Sequence, residues 1–277
     1  MKEGRVSQTA LKVALGLVTL SIKDDWAERL PEGLVELSER LLVASGVTGY
    51  GPGMIRASKK QWMIRLYGVQ EWILPGQFEG FGHRKIWVNE QVEAAMAEGA
   101  RQVLIVGAGF DTLTQRLAPK HPEVTFFEVD HPATSAAKAK GLAEIGQPAN
   151  LFQIAEDLGE RALAKVLEED ARFDTSVRTV FVAEGLFQYL TDGEVRSTLK
   201  DAAQCAPAGS RFAFSHVEPG FSKWVEFLTG LIAERWRSAV ASEKVPDYID
   251  GTGWRIVSAP DDDPAHGAER YALAERQ

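Results

Sequence analysis

The chain has 277 residues, 45% hydrophobic and 25% charged, which suits one large α/β domain with an added element and is short for two full domains. Its formal net charge of -8 argues against a protein that wraps nucleic acid, because neutralising phosphates requires a clustered surplus of Lys and Arg. The single cysteine, Cys205, excludes an internal disulfide and a thiolate metal cluster and fits a reducing cytoplasm.

The apolar run from Thr9 to Ile22 carries Lys12 and is followed by Lys23-Asp24-Asp25, with no small-residue cleavage motif. It is also shorter than the roughly 20 apolar residues that span a bilayer. It reads as a buried helix, and no membrane association is expected. From about Val6 to Gly99, helical stretches are broken by Pro31, Gly46, Gly49, Gly51-Pro52-Gly53 and Pro75-Gly76, with no alternating strand. Residues 1–99 are therefore expected to form a helical cap and substrate region, and residues 100–277 the main domain.

After Arg101, short β-branched runs alternate with helical segments, the pattern of βαβ units and a parallel sheet. The expected strands are 102–106, 124–129, 150–154, 178–183 and 210–216. Between them lie helices over 112–118, with Asp111 as N-cap, and over 133–144 and 159–169. A further helix begins at the capping box Thr191-Asp192-Gly193-Glu194 and ends near Cys205. Residues 254–258 and 270–274 read as two final strands, the second antiparallel at the edge.

In an open parallel sheet, ligands sit outside the carboxyl ends of the strands. Gly107 and Gly109 permit a tight strand-to-helix turn that lets a ligand approach the backbone. A dinucleotide site would want a third glycine and amides aimed at a pyrophosphate. Here Thr112 holds that place and Asp111 precedes it; an acid there would repel a diphosphate and suit the ammonium of a methionine-type ligand. Asp130 ends the second strand, where a carboxylate can accept both hydrogen bonds of a ribose diol. Glu128 points to the same face and is the alternative, Asp130 being nearer the rim. Asp157 is placed to accept from an adenine amino group, with Leu158 over the base. Glu184, among apolar residues, needs a cationic partner, which a bound sulfonium or ammonium would supply.

The string Gln102-Val103-Leu104-Ile105-Val106-Gly107-Ala108-Gly109-Phe110-Asp111-Thr112 is followed by Phe127-Glu128-Val129-Asp130-His131-Pro132, with Lys138 beyond it. Together with Ala183-Glu184-Gly185-Leu186-Phe187-Gln188-Tyr189-Leu190, it resembles the leucine carboxyl methyltransferase family. The likeness covers residues 81–216, and Val6-Ser7-Gln8-Thr9-Ala10-Leu11 is similar to the family's N-terminal segment. It implies a doubly wound, mostly parallel seven-stranded sheet of Rossmann-like type under an N-terminal helical lid, using S-adenosyl-L-methionine. It further implies Arg84 on the cofactor carboxylate, with Thr9 or Lys12 reaching it from the N-terminal helix. Gly107 would touch the methionine part, Asp130 the ribose, Asp157 and Leu158 the adenine, and Glu184 the ammonium end. Residues 48–82, with aromatics at Trp62, Tyr67, Trp72, Phe78 and Phe81, match no family pattern, and acceptor choice is expected there.

The expected reaction is O-methylation of a carboxylate or hydroxyl, with a small-molecule metabolite favoured over a protein C-terminus as acceptor. A carboxylate needs no general base; a hydroxyl does, and His216 with Tyr189 as its orienting partner are the candidates. The five histidines are scattered without ligand spacing, so no metal is expected. A nicotinamide oxidoreductase and a non-catalytic binder are the rival readings.

Overall fold

The structure, a computed structural model, describes residues 6–73, 76–219, 236–258 and 269–277. Six helices come first: α1 (Gln8–Leu20), α2 (Trp26–Arg29), α3 (Leu34–Ala44), α4 (Pro52–Ser58), α5 (Gln61–Ile73) and α6 (Gln77–Ala97). The sheet follows, with β1 (Gln102–Val106), α7 (Leu113–Leu117), β2 (Thr125–Asp130), α8 (Pro132–Ile145), β3 (Leu151–Ala155), α9 (Leu163–Glu169) and β4 (Thr179–Ala183). It ends with α10 (Asp192–Gln204), β5 (Arg211–Val217), α11 (Val245–Ile249), β6 (Trp254–Ser258) and β7 (Glu269–Arg276).

The strand order is β3-β2-β1-β4-β5-β7-β6, with β1 to β5 parallel and β7 antiparallel to both neighbours. This is the doubly wound sheet expected. Only the edge differs: β7 is antiparallel but lies inside, between β5 and β6. The side chains give the reason. Ala272 and Ala274 are buried, whereas Arg255 and Val257 of β6 are exposed, as suits a strand with one open side.

Alternation along the strands feeds two cores. Val103, Ile105, Phe126, Val180, Val182 and Ala213 pack with Leu11 of α1, Leu41 of α3, Val88 of α6 and Leu142 of α8. Leu104, Phe127, Val129, Phe181 and Phe212 pack with α9, α10 and α11 on the opposite face. The period of 2 in a strand makes this division. Residues before Arg101 thus do two things: α1, α3 and α6 cover one sheet face, while α4 and α5 lie outside them. The helical run expected from Thr9 is α1, buried along Leu11, Ala14, Leu15, Leu17, Val18 and Leu20. Ser7 caps it by accepting from the Ala10 amide, and its own amide donates to Thr134 Oγ1, tying α1 to α8. At Gly82 of α6 a Cβ would lie 2.3 Å from the Trp26 ring, so only glycine permits this close approach.

Some boundaries shift. Asp111 does cap α7, accepting from the Leu113 amide at 2.9 Å, but from one residue before the N-cap position, which Thr112 holds. Before α9, residues 159–162 form a turn in which Asp157 accepts from the Gly159 amide. The capping box of α10 is complete, Thr191 Oγ1 and the Glu194 carboxylate each accepting from the other's amide.

Candidate functional site

A cavity of about 1070 Å³ opens at the carboxyl ends of β1, β2 and β4, where the connections diverge to opposite faces. Its sheet side begins with the turn after β1. Gly107 has φ 72° and Gly109 φ 49°, left-handed conformations that favour glycine. A Cβ on Gly107 would meet Leu186 at 3.0 Å, and one on Gly109 would meet Ala10 of α1 at 2.8 Å. The turn is thus pressed between the β4 loop and the N-terminal helix, both of which line the cavity.

Asp130 ends β2 on the cavity rim. Its Oδ2 accepts from the Gly109 amide at 2.5 Å and its Oδ1 from the His131 amide at 2.7 Å. Burial raises its pKa, and the two amides only partly offset this. Glu128, the alternative ribose acid, is closed off instead. It accepts from Thr114 and pairs with Lys138 at 2.8 Å beneath α7 and α8, and it does not line the cavity. Asp157 and Leu158 both line it; Asp157 Oδ2 stands 3.5 Å from His131 Nε2.

Behind the turn lies a buried charge network that neighbouring sequence alone does not suggest. Glu184 Oε1 is 2.7 Å from Arg84 Nε and 2.6 Å from Lys85 Nζ. Lys85 also reaches Asp111 Oδ2 at 3.0 Å, and Arg84 Nη1 pairs with Glu269 on β7. Burial acts against the charge on Arg84, but Glu269 and Glu184 outweigh it and raise its pKa. Burial likewise acts to raise Asp111, but Lys85 and Lys138 override it and hold the carboxyl below its ordinary range. The cationic partner expected for Glu184 is therefore present in the chain itself, as Arg84 and Lys85. Among the described residues, what stays open is Glu184 Oε2, buried with no hydrogen-bond partner, and likewise Thr9 Oγ1 at the start of α1. Arg84 Nη2 also has no recorded acceptor among the described residues.

The cavity brings together Thr9, Lys12, Arg84, Gly107, Gly109, Asp111, Asp130, Asp157, Leu158, Glu184 and Tyr189. His216 is the exception. Its neighbour Ser215 turns toward the loop after β4, its Oγ accepting from the Gly185 amide at 2.8 Å, so the strand carries His216 on the other face. There its Nδ1 lies 2.9 Å from the Val240 carbonyl oxygen, and the ring does not line the cavity. Placing a base there from the strand end alone overlooked that alternation. Lys85 and Glu269 went unread: Lys85 stood beside a named arginine, and Glu269 reaches the site from the inserted antiparallel strand. Of the aromatics in 48–82, Tyr50, Tyr67 and Phe81 line the cavity, Phe78 is buried in the core and Trp62 is exposed; the side chain of Trp72 lies outside the described residues. Among the described residues no cluster of His, Cys, Asp or Glu could hold a metal, and no helix is long and apolar enough to cross a membrane.

A Rossmann-like sheet with its cavity at the topological switch point defines the class of protein. Within that class, the model of the leucine carboxyl methyltransferase family matches residues 36–203, and the chain belongs to this family. A relative from Mycolicibacterium gilvum (strain PYR-GCK), named as a candidate S-adenosyl-L-methionine-dependent methyltransferase, is 30% identical over 214 residues, 71% of this chain and 67% of the relative. One of the same name from Mycobacterium sp. (strain MCS) is 34% identical over 145 residues, and the match spans 51% of this chain and 58% of that protein. Among solved structures, a candidate methyltransferase from Thermobifida fusca YX superposes with a TM-score of 0.60 at 14% identity, covering 86% of this chain and 94% of its own. The magnesium protoporphyrin IX methyltransferase of Synechocystis PCC 6803, solved with bound S-adenosylhomocysteine, gives 0.50 at 14% identity, covering 72% and 84%. These two share the fold.

Proposed function

We propose that the protein is an S-adenosylmethionine-dependent O-methyltransferase acting on a carboxylate or hydroxyl oxygen of a small molecule. The observation that carries this reading is the single cavity joining the acid-lined strand ends to an apolar chamber among the helices. Its volume exceeds the roughly 300–1,000 Å³ of a pocket for one drug-sized ligand, which supports joint occupancy by cofactor and acceptor.

The chain's polar atoms fit the cofactor. Glu184 Oε2 and Thr9 Oγ1 are buried on the cavity wall and unpartnered among the described residues, and three carboxylates stand against two cations in the network behind them. An ammonium group satisfies Glu184 Oε2, and a carboxylate satisfies Arg84 Nη2 and Thr9 Oγ1. Asp130 accepts from the ribose diol, and Asp157 with Leu158 holds the adenine. When bound, the cofactor supplies a methyl group on a positively charged sulfur, an electrophile complete in itself.

The protein's part is then to align the acceptor oxygen and exclude water. A carboxylate is ionised at neutral pH and needs no base. His216 does not line the cavity, which favours positioning over deprotonation by that residue; Tyr189, expected as the partner that orients His216, does line it. The single buried Cys205 supports a reducing, cytoplasmic setting. Calorimetry with S-adenosylhomocysteine and with NAD tests the cofactor: heat with NAD alone would sink the proposal. Transfer of labelled methyl across a panel of carboxylic acids, phenols and peptides ending in leucine tests the acceptor.

A further inference from the structure

Away from the strand ends, the cavity continues between α1, α3, α4, α5 and α6, with a wall of Val13, Leu17, Met54, Met63, Tyr67 and Phe81. Methionine and aromatic side chains of this kind suit a flat aromatic body, through sulfur–ring and edge-to-face contacts. Apart from Lys12, Ser38 and Gln77, the polar groups of this helical part are two phenols, Tyr50 and Tyr67. Neither hydroxyl has a hydrogen-bond partner among the described residues. Burial raises both, Tyr67 to about 12 with a contribution from Tyr50, so each is a neutral donor at physiological pH.

Tyr67 is also rigid. Its ring stacks on the buried Phe78 at 4.3 Å between centroids and 13° between planes. Beneath it, Gly16 of α1 leaves room: a Cβ there would stand 3.4 Å from the Tyr67 hydroxyl and 3.3 Å from the Phe81 ring. A fixed phenol on the cavity wall is placed to donate to an oxygen of whatever enters the chamber. We propose that Tyr50 and Tyr67 recognise the acceptor, and that the acceptor is an aromatic small molecule carrying a hydrogen-bond-accepting oxygen besides the one that is methylated. This rests on the methyltransferase reading above and names the substrate class for it.

The test titrates the wild-type protein, saturated with S-adenosylhomocysteine, with 4-hydroxyacetophenone, 4-ethylphenol and a hexapeptide ending in leucine. The ketone is expected to bind about tenfold more tightly than the ethyl compound, the worth of one hydrogen bond. Tyr67→Phe, which keeps the stack on Phe78, should erase that difference in Kd with affinity for S-adenosylhomocysteine unchanged, and in turnover with S-adenosylmethionine should act through KM rather than kcat. Equal binding of the two phenols, binding of neither, binding of the peptide alone, or a Tyr67→Phe effect confined to kcat would each overturn the proposal. Failure of the wild type to bind S-adenosylhomocysteine would remove the cofactor reading itself and is seen before any acceptor is added.

Discussion

At the strand ends, Arg84, Lys85, Asp111, Glu184 and Glu269 hold one another within ion-pair distance, all of them largely buried. In the helical wall opposite, Met63, Tyr67 and Phe81 meet mostly apolar neighbours, and Leu66 and Val69 are 57% and 62% exposed at the cavity's outer side. One wall is fixed by charge, the other by packing that is partly open. Buried charges tolerate no substitution that leaves a partner uncompensated, whereas apolar residues of similar size exchange at small cost. On the proposed reading, the first wall meets the cofactor and the second the acceptor.

The largest expected effect comes from breaking the charged wall. Arg84→Met leaves Glu269 without its ion-pair partner and Glu184 with Lys85 alone, and losing one member of a buried pair typically costs about 3–5 kcal/mol. Urea denaturation measures it, and a variant as stable as the wild type would mean that the wall is not locked. Asp130→Ala comes next. It removes the proposed ribose acceptor and frees the Gly109 amide, so affinity for S-adenosylhomocysteine should fall about 100-fold, two charge-assisted bonds at the low end of their range. Unchanged affinity would refute the ribose role.

Acid separates two carboxylates of the same wall. Asp111 is lowered in the fold, so its contribution is complete above the unfolded value of about 3.9 and is lost as pH falls below it. Asp130 is raised, so its term has the opposite sign: present below about pH 3.9 and lost as pH rises through the folded value. Stability measured in urea should therefore decline less steeply below about pH 4 in Asp111→Asn than in the wild type. An equal decline would show that Lys85 does not govern Asp111.

How much of this could be read in advance follows from the same contrast. The turn at Gly107, the acids Asp130 and Asp157, and Glu184 are each written just after an apolar run, because a parallel sheet places the ends of β1 to β4 side by side. Glu269 was hidden because its link to Arg84 joins β7 to α6, elements distant in sequence and brought together by an antiparallel insertion. The direction of His216 is legible in the parity of β5: Phe212 and Phe214 mark one face, and His216 shares their parity, not that of Ser215. The helical wall is collected from α1, α3, α4, α5 and α6, so no local string of residues announces it.

The smallest expected effect is the most discriminating, because it concerns the junction of the two walls. Thr9 belongs to α1, a helix of the packed core, yet its hydroxyl is buried beside the strand-end turn without a partner among the described residues. If that oxygen served only the fold, Thr9→Val would lower stability and leave ligand affinity alone. An unsatisfied buried hydroxyl exchanged for a methyl of similar shape should instead be neutral or stabilising by about 1 kcal/mol. The proposed contact with the cofactor carboxylate then appears only in binding, as a loss of about threefold to tenfold in affinity for S-adenosylhomocysteine. Gain in stability with loss in affinity would join α1 to the cofactor wall; loss in stability with affinity intact would return it to the core.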